Sequence, residues 1–147
     1  MAFASGSFAG ASTGDAQSSL YVLRNVTTNT TPTELFLDGT AARMQVPTDS
    51  MWTFDILVAG RTQLLNPPDS RVISGAYHIR GVILRQGDAT QLLSSTNTVL
   101  HADIPAWSAS AVADDTHQAL IIRVVGGAGD APVRWVASVR TAEVVFP

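Results

Sequence analysis

The sequence predicts an all-β protein: an antiparallel, jelly-roll-like β-sandwich of about eight strands with an extended N-terminal arm. Apolar and polar residues alternate with a period of two along much of the chain, as they do in a sheet with one buried face. Short runs rich in Val, Ile and Thr are separated by turn residues, which is typical of sandwiches and barrels. No window of about eleven residues carries a helical apolar stripe. We expect an arm over residues 1–18 and one β-sandwich domain over residues 19–147.

The arm is built mainly from small residues and carries only two large apolar side chains, Phe3 and Phe8. Its sequence is MAFASGSFAGASTGDAQS. Burying each phenylalanine would contribute about 1.5–3 kcal/mol. Fixing the backbone of each arm residue would cost about 1–2 kcal/mol. We therefore expect the arm to order against a partner by adding a strand to a sheet edge, with Phe3 and Phe8 as contacts. The alternatives are a frayed terminus and an arm exchanged between protomers.

The first half of the domain contains three strand signals. The run SLYVLRNVT predicts a strand with Leu20, Val22 and Val26 on one face and Tyr21 and Leu23 on the other. TELFLDGTAARMQV consists of two short runs around Asp38-Gly39, which predicts a hairpin. SMWTFDILVAG is apolar at every second position from Trp52 to Val58, which predicts one buried face.

The second half opens with NPPDS, whose tandem prolines predict a loop. GAYHIRGVILRQ alternates again, and TQLLSSTNTVLHADI predicts a weaker strand or a pair of strands. PAWSASAVADDTHQ predicts a short strand and an aspartate-rich turn. ALIIRVVGG and PVRWVASVRTAEVVF predict two long closing strands, with GGAGDA as a hairpin connection between them.

Composition narrows the classes of function. Charged residues make up 14% of the 147-residue chain, against about 25% in ordinary soluble domains. The surface is therefore expected to be covered by Ser, Thr, Asn, Gln and small apolar groups, with an interface over part of it as the alternative. There is no cysteine, which excludes disulfides and thiolate metal sites. All nine basic residues are arginine, which excludes lysine chemistry. The net charge of -3 and the scattered arginines argue against a nucleic-acid partner, and no apolar run is long enough to predict a membrane span.

The residues that could carry chemistry do not form a recognisable centre. His78, His101 and His117 lie far apart, and DDTH before the ALIIRVV strand is interpreted as a polar turn in preference to a metal site. No nucleophile elbow and no defined carboxylate pair is present. We expect a protein that is not an enzyme and has no cofactor or metal, with a small polysaccharide hydrolase as the minor alternative. Trp52 and Trp135 occupy core positions of strands, whereas Trp107, beside a proline, is a candidate surface contact.

Four segments together resemble a known family: TPTELFLDG, WTFDILVAGR, the AW...AD...ALIIRV segment and the terminal RWVASVRT. The pattern, which covers residues 25–145, resembles a domain of virion structural proteins from tailed bacteriophages, including cyanophages, where it is found in tail-fibre-like proteins. The resemblance implies a β-rich, oligomeric, non-enzymatic virion module. It supplies no catalytic residues.

The resemblance and the short arm lead to a functional expectation. A free-standing domain of this size lacks the reach of a fibre, so we expect a capsid decoration (cement) protein on the capsid exterior. Such a protein would be a homotrimer that binds the major capsid protein and stabilises the shell, with the arm docked on neighbouring subunits. The alternative is a receptor-binding module of a tail fibre or head fibre, in which the loops TQLLNPPDS and PAWSAS and the side chain of Trp107 would hold host glycans.

Overall fold

A computed structural model of the chain describes residues 1–4, 6, 8, 15–64, 70–127 and 131–146. These residues form ten strands: β1 (Ala2–Ala4), β2 (Ala16–Thr27), β3 (Thr33–Leu35), β4 (Met44–Gln45), β5 (Ser50–Leu64), β6 (Arg71–Gln86), β7 (Ala89–Ala102), β8 (Ser108–Asp114), β9 (Ala119–Val125) and β10 (Val133–Val145). Within the described ranges, no helix is long and apolar enough to cross a membrane.

The strands form two antiparallel sheets, which confirms the predicted β-sandwich with about ten strands instead of about eight. The larger sheet has six strands in the order β1-β2-β10-β5-β6-β7. In the smaller sheet, β8 pairs with the whole length of β9. The strands β3 and β4 pair with successive parts of the same β9 and therefore share its other edge.

The core fills the space between the two sheets and follows the period-two pattern of the sequence. The alternate residues of β5 from Trp52 to Val58 are all buried, as predicted. Trp135 of β10 lies at the centre, with ring centroids 6.4 Å from Tyr77 and 5.4 Å from Trp107. Its indole N–H donates a hydrogen bond of 2.9 Å to the hydroxyl of Thr27. The same alternation that buries one face of each strand therefore leaves the other face of the six-stranded sheet pointing to solvent.

Two predicted hairpins are wrong. β3 and β4 flank the Asp38-Gly39 turn, but each pairs with β9 and not with the other. The carboxylate of Asp38 accepts hydrogen bonds from the N–H groups of Thr40, Ala41 and Ala42, and this compact turn replaces the two-residue hairpin. Likewise β9 and β10, which the GGAGDA segment connects, belong to different sheets and do not pair as a hairpin. Residues 128–130 of that connection, and 66–69 of the predicted NPPDS loop, lie outside the described residues.

The weak strand signal of TQLLSSTNTVLHADI corresponds to a single strand, β7, at the edge of the six-stranded sheet. Its register with β6 shifts at two places, between Ala76 and Tyr77 and between Val82 and Ile83. Each shift leaves one extra residue in β7, Leu100 and Leu93 respectively. Bulges of this kind interrupt an exposed edge and are one way of limiting its pairing with other chains.

The N-terminal arm folds back on its own domain over the part that the structure describes. Ala2–Ala4 forms β1 and pairs with Gln17 to Ser19 of β2. Residues 16–18, which the sequence predicts to be part of the arm, belong to β2 and pair with Val144 to Ala142 of β10. The ordered sheet therefore begins at Ala16, before the expected boundary at residue 19. The segment 9–14, part of the predicted arm, lies outside the described residues.

Candidate protein-binding surface

The six-stranded sheet presents one broad face to solvent. We define the outer face as the outward-pointing residues of β2, β5, β6 and β10. Strands lie about 4.8 Å apart and rise about 3.3 Å per residue, so four strands of a dozen residues span about 19 Å by 40 Å. That area is close to the roughly 800 Å² that each partner buries in a standard protein–protein interface.

Large apolar side chains are exposed on this face. Val22 of β2 is 55% exposed, Leu57 of β5 is 54% exposed and Val136 of β10 is 45% exposed. The other exposed large apolar residues of the outer face are Leu20, Val26, Met51 and Val72. Single exposed apolar residues are ordinary, but their concentration on one sheet face is typical of an interaction surface.

Arginines are interleaved with these apolar residues. The outward positions of the four strands carry five exposed arginines: Arg24, Arg61, Arg80, Arg134 and Arg140. One carboxylate, Asp55, shares the face with them, although the whole chain has a net charge of -3. The outer face is therefore positively charged, although the molecule as a whole is negatively charged. Arginine is also among the residue types enriched in protein interfaces.

The single carboxylate forms no ion pair with its arginine neighbours. Asp55 lies in register between Arg140 of β10 and Arg80 of β6. Its Oδ1 atom instead lies 2.6 Å from Nε2 of His78. Among the described residues, no carboxylate lies within ion-pair distance of Arg61, Arg80, Arg134 or Arg140. Their guanidinium groups thus keep their donors for water or for a partner.

The N-terminal arm extends this surface. Phe3 is in register with Ser18, an outward residue of β2, so its side chain lies on the same side of the sheet as the outer face. The phenyl group is 65% exposed. Phe8 is 55% exposed, and its N–H donates a 3.2 Å hydrogen bond to the buried carboxylate of Asp15. Both predicted contact residues therefore present aromatic surface to solvent, and Phe3 adds to the outer face directly.

Trp107 is not a surface residue. Its side chain is in the core, the residue is 3% exposed, and its indole N–H donates to the carbonyl oxygen of Gly127 at 3.2 Å. The ring packs beside Trp135 and over Gly75. Its position two residues after Pro105 did not reveal this, because its burial depends on contacts with β6 and β10 that are distant in sequence. The glycan-binding alternative loses the residue proposed to hold a sugar.

The three histidines lie apart, each beside one aspartate. His117 Nδ1 is 2.6 Å from the Asp114 carboxylate, which also accepts the backbone N–H groups of Thr116 and His117. Partial burial acts to raise the pKa of Asp114, but these hydrogen bonds outweigh it and hold the pKa below its usual range. The neighbouring Asp115 accepts the N–H of Thr90 instead. DDTH is therefore a polar turn, and within the described residues no three His, Asp or Glu side chains are grouped to hold a metal.

The carboxylate of Glu143 is buried in the sandwich. Glu143 is 6% exposed and accepts hydrogen bonds from the side chains of Gln17, Tyr21 and Thr141. Burial is the main cause that raises the pKa of Tyr21, and the nearby Glu143 charge adds to it. Because the carboxylate oxygens of Glu143 already accept three donors, this cluster links the start of β2 to the end of β10 and has a structural role.

No family model matches this chain, and no curated protein sequence matches it. Neither comparison supports a relationship to phage virion proteins.

The five arginines of the outer face were not identified from the sequence as a site. Their positions did carry a signal, since Arg134 and Arg140 alternate with buried residues of β10. Only the register between strands, which one strand's sequence does not contain, brings them together with Arg61 and Arg80.

Proposed function

We propose that this chain is a non-enzymatic structural protein that docks onto other protein subunits through the outer face, and that it serves as a phage capsid decoration (cement) protein. One observation carries the docking: a single exposed sheet face combines apolar side chains with five arginines and one carboxylate. The virion location is supported by the resemblance of residues 25–145 to phage virion proteins. In this proposal the partner is the major capsid protein and the location is the capsid exterior.

The arm and the oligomer complete the proposal. Phe3 and Phe8 lie exposed on the N-terminal segment, and a capsid subunit at the outer face would also cover Phe3. Three copies in a homotrimer would bind together and gain avidity without stronger individual contacts. Binding free energy spread over several subunit junctions would then stiffen the shell. Sedimentation equilibrium tests the trimer, and a monomer at the concentration that saturates capsids would contradict it.

Co-sedimentation with capsids assembled from the major capsid protein of the same genome tests the docking. The wild-type chain is expected to sediment with the capsids, and Leu57→Asp is expected to stay in the supernatant, because it places a carboxylate in the centre of the outer face. Leu93→Asp is the matched control. Leu93 is 53% exposed, close to the 54% of Leu57, but lies on the edge strand β7 outside the outer face. Wild-type binding by Leu57→Asp would refute docking through this face.

Immunogold labelling of virions separates the proposal from the receptor-binding alternative. A decoration protein is expected to label the whole head. Label confined to the tail or to a fibre tip would contradict the capsid assignment, while leaving the docking surface itself to be judged by the co-sedimentation experiment.

A further inference from the structure

Two arginines lie directly opposite each other at one end of the outer face. Arg61 of β5 and Arg134 of β10 are register partners in adjacent antiparallel strands, and both are exposed. Directly opposed residues on one sheet face have Cβ atoms about 4.5–5.5 Å apart, and like charges in that position are destabilising. Destabilising arrangements of this kind are commonly retained where they serve function.

Arg61 and Arg134 line a surface pocket whose two strands are held together by a hydrogen bond. The pocket has a volume of about 490 Å³ and is lined by Arg61, Thr62, Gln63, Pro132 and Arg134. The hydroxyl of Thr62 donates a 2.7 Å hydrogen bond to the carbonyl oxygen of Pro132, which ties the start of β10 to β5. Gln63 lies two residues beyond Arg61 on the same side of β5 and adds an amide donor. The pocket therefore offers three donor side chains on two strands held in register.

The surroundings of the pair specify the chemistry of its ligand. Val26 of β2 lies opposite Arg134, and Val136 follows two residues later on the same face. Their side chains are 47% and 45% exposed. A partner surface that covers the arginine pair together with these neighbouring valines must carry apolar groups beside its anion. A protein segment meets this requirement. A nucleic-acid backbone does not, because it would place a row of phosphates against the apolar side chains. The net charge of -3 also opposes the binding of a polyanion.

We propose that the Arg61–Arg134 pair, with Gln63, is a binding site for a carboxylate that a partner protein presents between apolar side chains. Each guanidinium group has five N–H donors in a planar fork that matches both oxygens of a carboxylate. A carboxylate between the two forks also removes the repulsion between them. The role of the site in docking rests on the proposed function, but the site binds its anion whether or not the partner is a capsid.

NMR titration of the full chain tests the site directly, with the Nε–H resonances of the arginines as the readout. The probe is the peptide acetyl-Val-Glu-Val-amide, and acetyl-Val-Gln-Val-amide is the matched control peptide. The expected result is a saturable shift of the Arg61 and Arg134 resonances with the glutamate peptide and none with the glutamine peptide. In Arg61→Gln and Arg134→Gln, binding is expected to weaken by about tenfold or more, since each loses charged hydrogen bonds. Arg123→Gln, an exposed arginine of β9 in the smaller sheet, is expected to bind like wild type.

Three outcomes would overturn the proposal: no saturable shift with the glutamate peptide, equal binding by the two peptides, or unchanged binding by Arg61→Gln. Inorganic phosphate or a short DNA duplex that binds the pair more tightly than the peptide would assign the site to phosphate and also overturn it. Urea unfolding of each variant checks that the fold is retained.

Capsid co-sedimentation of the same variants separates this proposal from the proposed function. Loss of capsid binding in Arg61→Gln supports the pair as a docking anchor. Peptide binding that depends on Arg61, together with capsid binding that does not, refutes the role in docking. If the wild-type chain itself fails to bind capsids, the capsid function fails, while the peptide titration still decides the carboxylate site.

Discussion

Trp135 lies at the centre of the core because residues around it leave room for the indole. A Cβ atom placed at Gly60 of β5, the register partner of Trp135, would overlap its six-membered ring. A Cβ atom at Gly126 would approach the same ring at 2.5 Å. The indole N–H is tied to Thr27 on the other side. At the scale of single residues, the position of this core tryptophan is thus set by two glycines, which have no side chain, and by one hydrogen bond.

Substitution of Gly60 by Ala is expected to destabilise the fold. The new methyl group must displace Trp135, and overpacking of a well-packed core costs about 1–3 kcal/mol. The measurement is the free energy of unfolding from urea titration. Ala59→Ser, one position along β5 and pointing to solvent, is the control and is expected to stay within about 0.5 kcal/mol of wild type. A Gly60→Ala protein as stable as its control would show that the core can relax around the ring.

Asp38 is expected to make stability depend on acid pH. The N–H groups of Ala42, Ala41 and Thr40 hold its pKa far below the usual 3.8. A carboxyl whose folded pKa is lowered stabilises the fold above its unfolded pKa, and this contribution is lost as the pH falls below about 4. The wild-type melting temperature should therefore decline below pH 4 more steeply than that of Asp38→Ala.

The amide variant separates charge from turn geometry. Asp38→Asn keeps an acceptor oxygen for the turn but does not titrate, so it is expected to melt above Asp38→Ala and to share its shallower decline with acid. Equal acid sensitivity of the wild-type chain and Asp38→Asn would refute the assignment of this stability to the Asp38 carboxylate.

At the scale of strands, the sequence patterns identify which residues face the core but not which strands pair. The alternation from Trp52 to Val58 correctly predicts the buried face of β5, because burial of one face imposes a period of two. The strands β9 and β10 show equally clear patterns, yet they lie in different sheets. β3 and β4, with three and two residues, are too short to carry a pattern. The same limit explains why the opposed pair Arg61–Arg134 was not predicted.

The start of β2 defines how much of the N-terminus can be removed. A chain that begins at Asp15 is expected to lose little stability, because it gives up three exposed residues of β1 and the single hydrogen bond from the Phe8 N–H to Asp15. A chain that begins at Ser19 loses three pairs with β10 and leaves the buried carboxylate of Glu143 without Gln17. A buried polar group without its partner costs about 1–3 kcal/mol. Urea unfolding of the two truncated chains measures the difference, and equal stabilities would contradict the role of residues 15–18.

The repulsion between Arg61 and Arg134 is expected to lower the free energy of unfolding of the protein. Arg61→Gln removes one of two like charges in a directly opposed pair, so it is expected to raise the free energy of unfolding by about 0.2–1 kcal/mol at low salt. The gain should shrink as added salt screens the repulsion in the wild-type chain. Arg140→Gln, an arginine of the same face opposite Asp55, is the control and is expected to give no gain. Destabilisation by Arg61→Gln would show that the pair is not repulsive in the free protein.

At the scale of the whole molecule, charge is distributed unevenly. The chain carries a net charge of -3, while the outer face carries five arginines and one aspartate. Such an asymmetry orients the molecule in the field of a charged partner before contact and raises the rate of productive encounters. Two copies would repel each other if their outer faces met, which favours a different, acidic surface as the partner of this face. The apolar residues between the arginines would then supply contact area once the faces have met.

Electrostatic steering predicts how association responds to salt and to substitution. The triple variant of Arg80, Arg134 and Arg140 to Gln is expected to associate with immobilised capsids more slowly than wild type at low ionic strength. The two rates should converge as salt rises, since the screening length falls from about 10 Å at 0.1 M to about 3 Å at 1 M. Arg123→Gln, on β9 of the smaller sheet, removes one charge away from the outer face and is expected to change the association rate little. The rates come from surface plasmon resonance over a salt series. A wild-type rate that does not change with salt would contradict steering by the outer face, because a positively charged face that meets an acidic surface across water must lose part of its attraction when ions screen it.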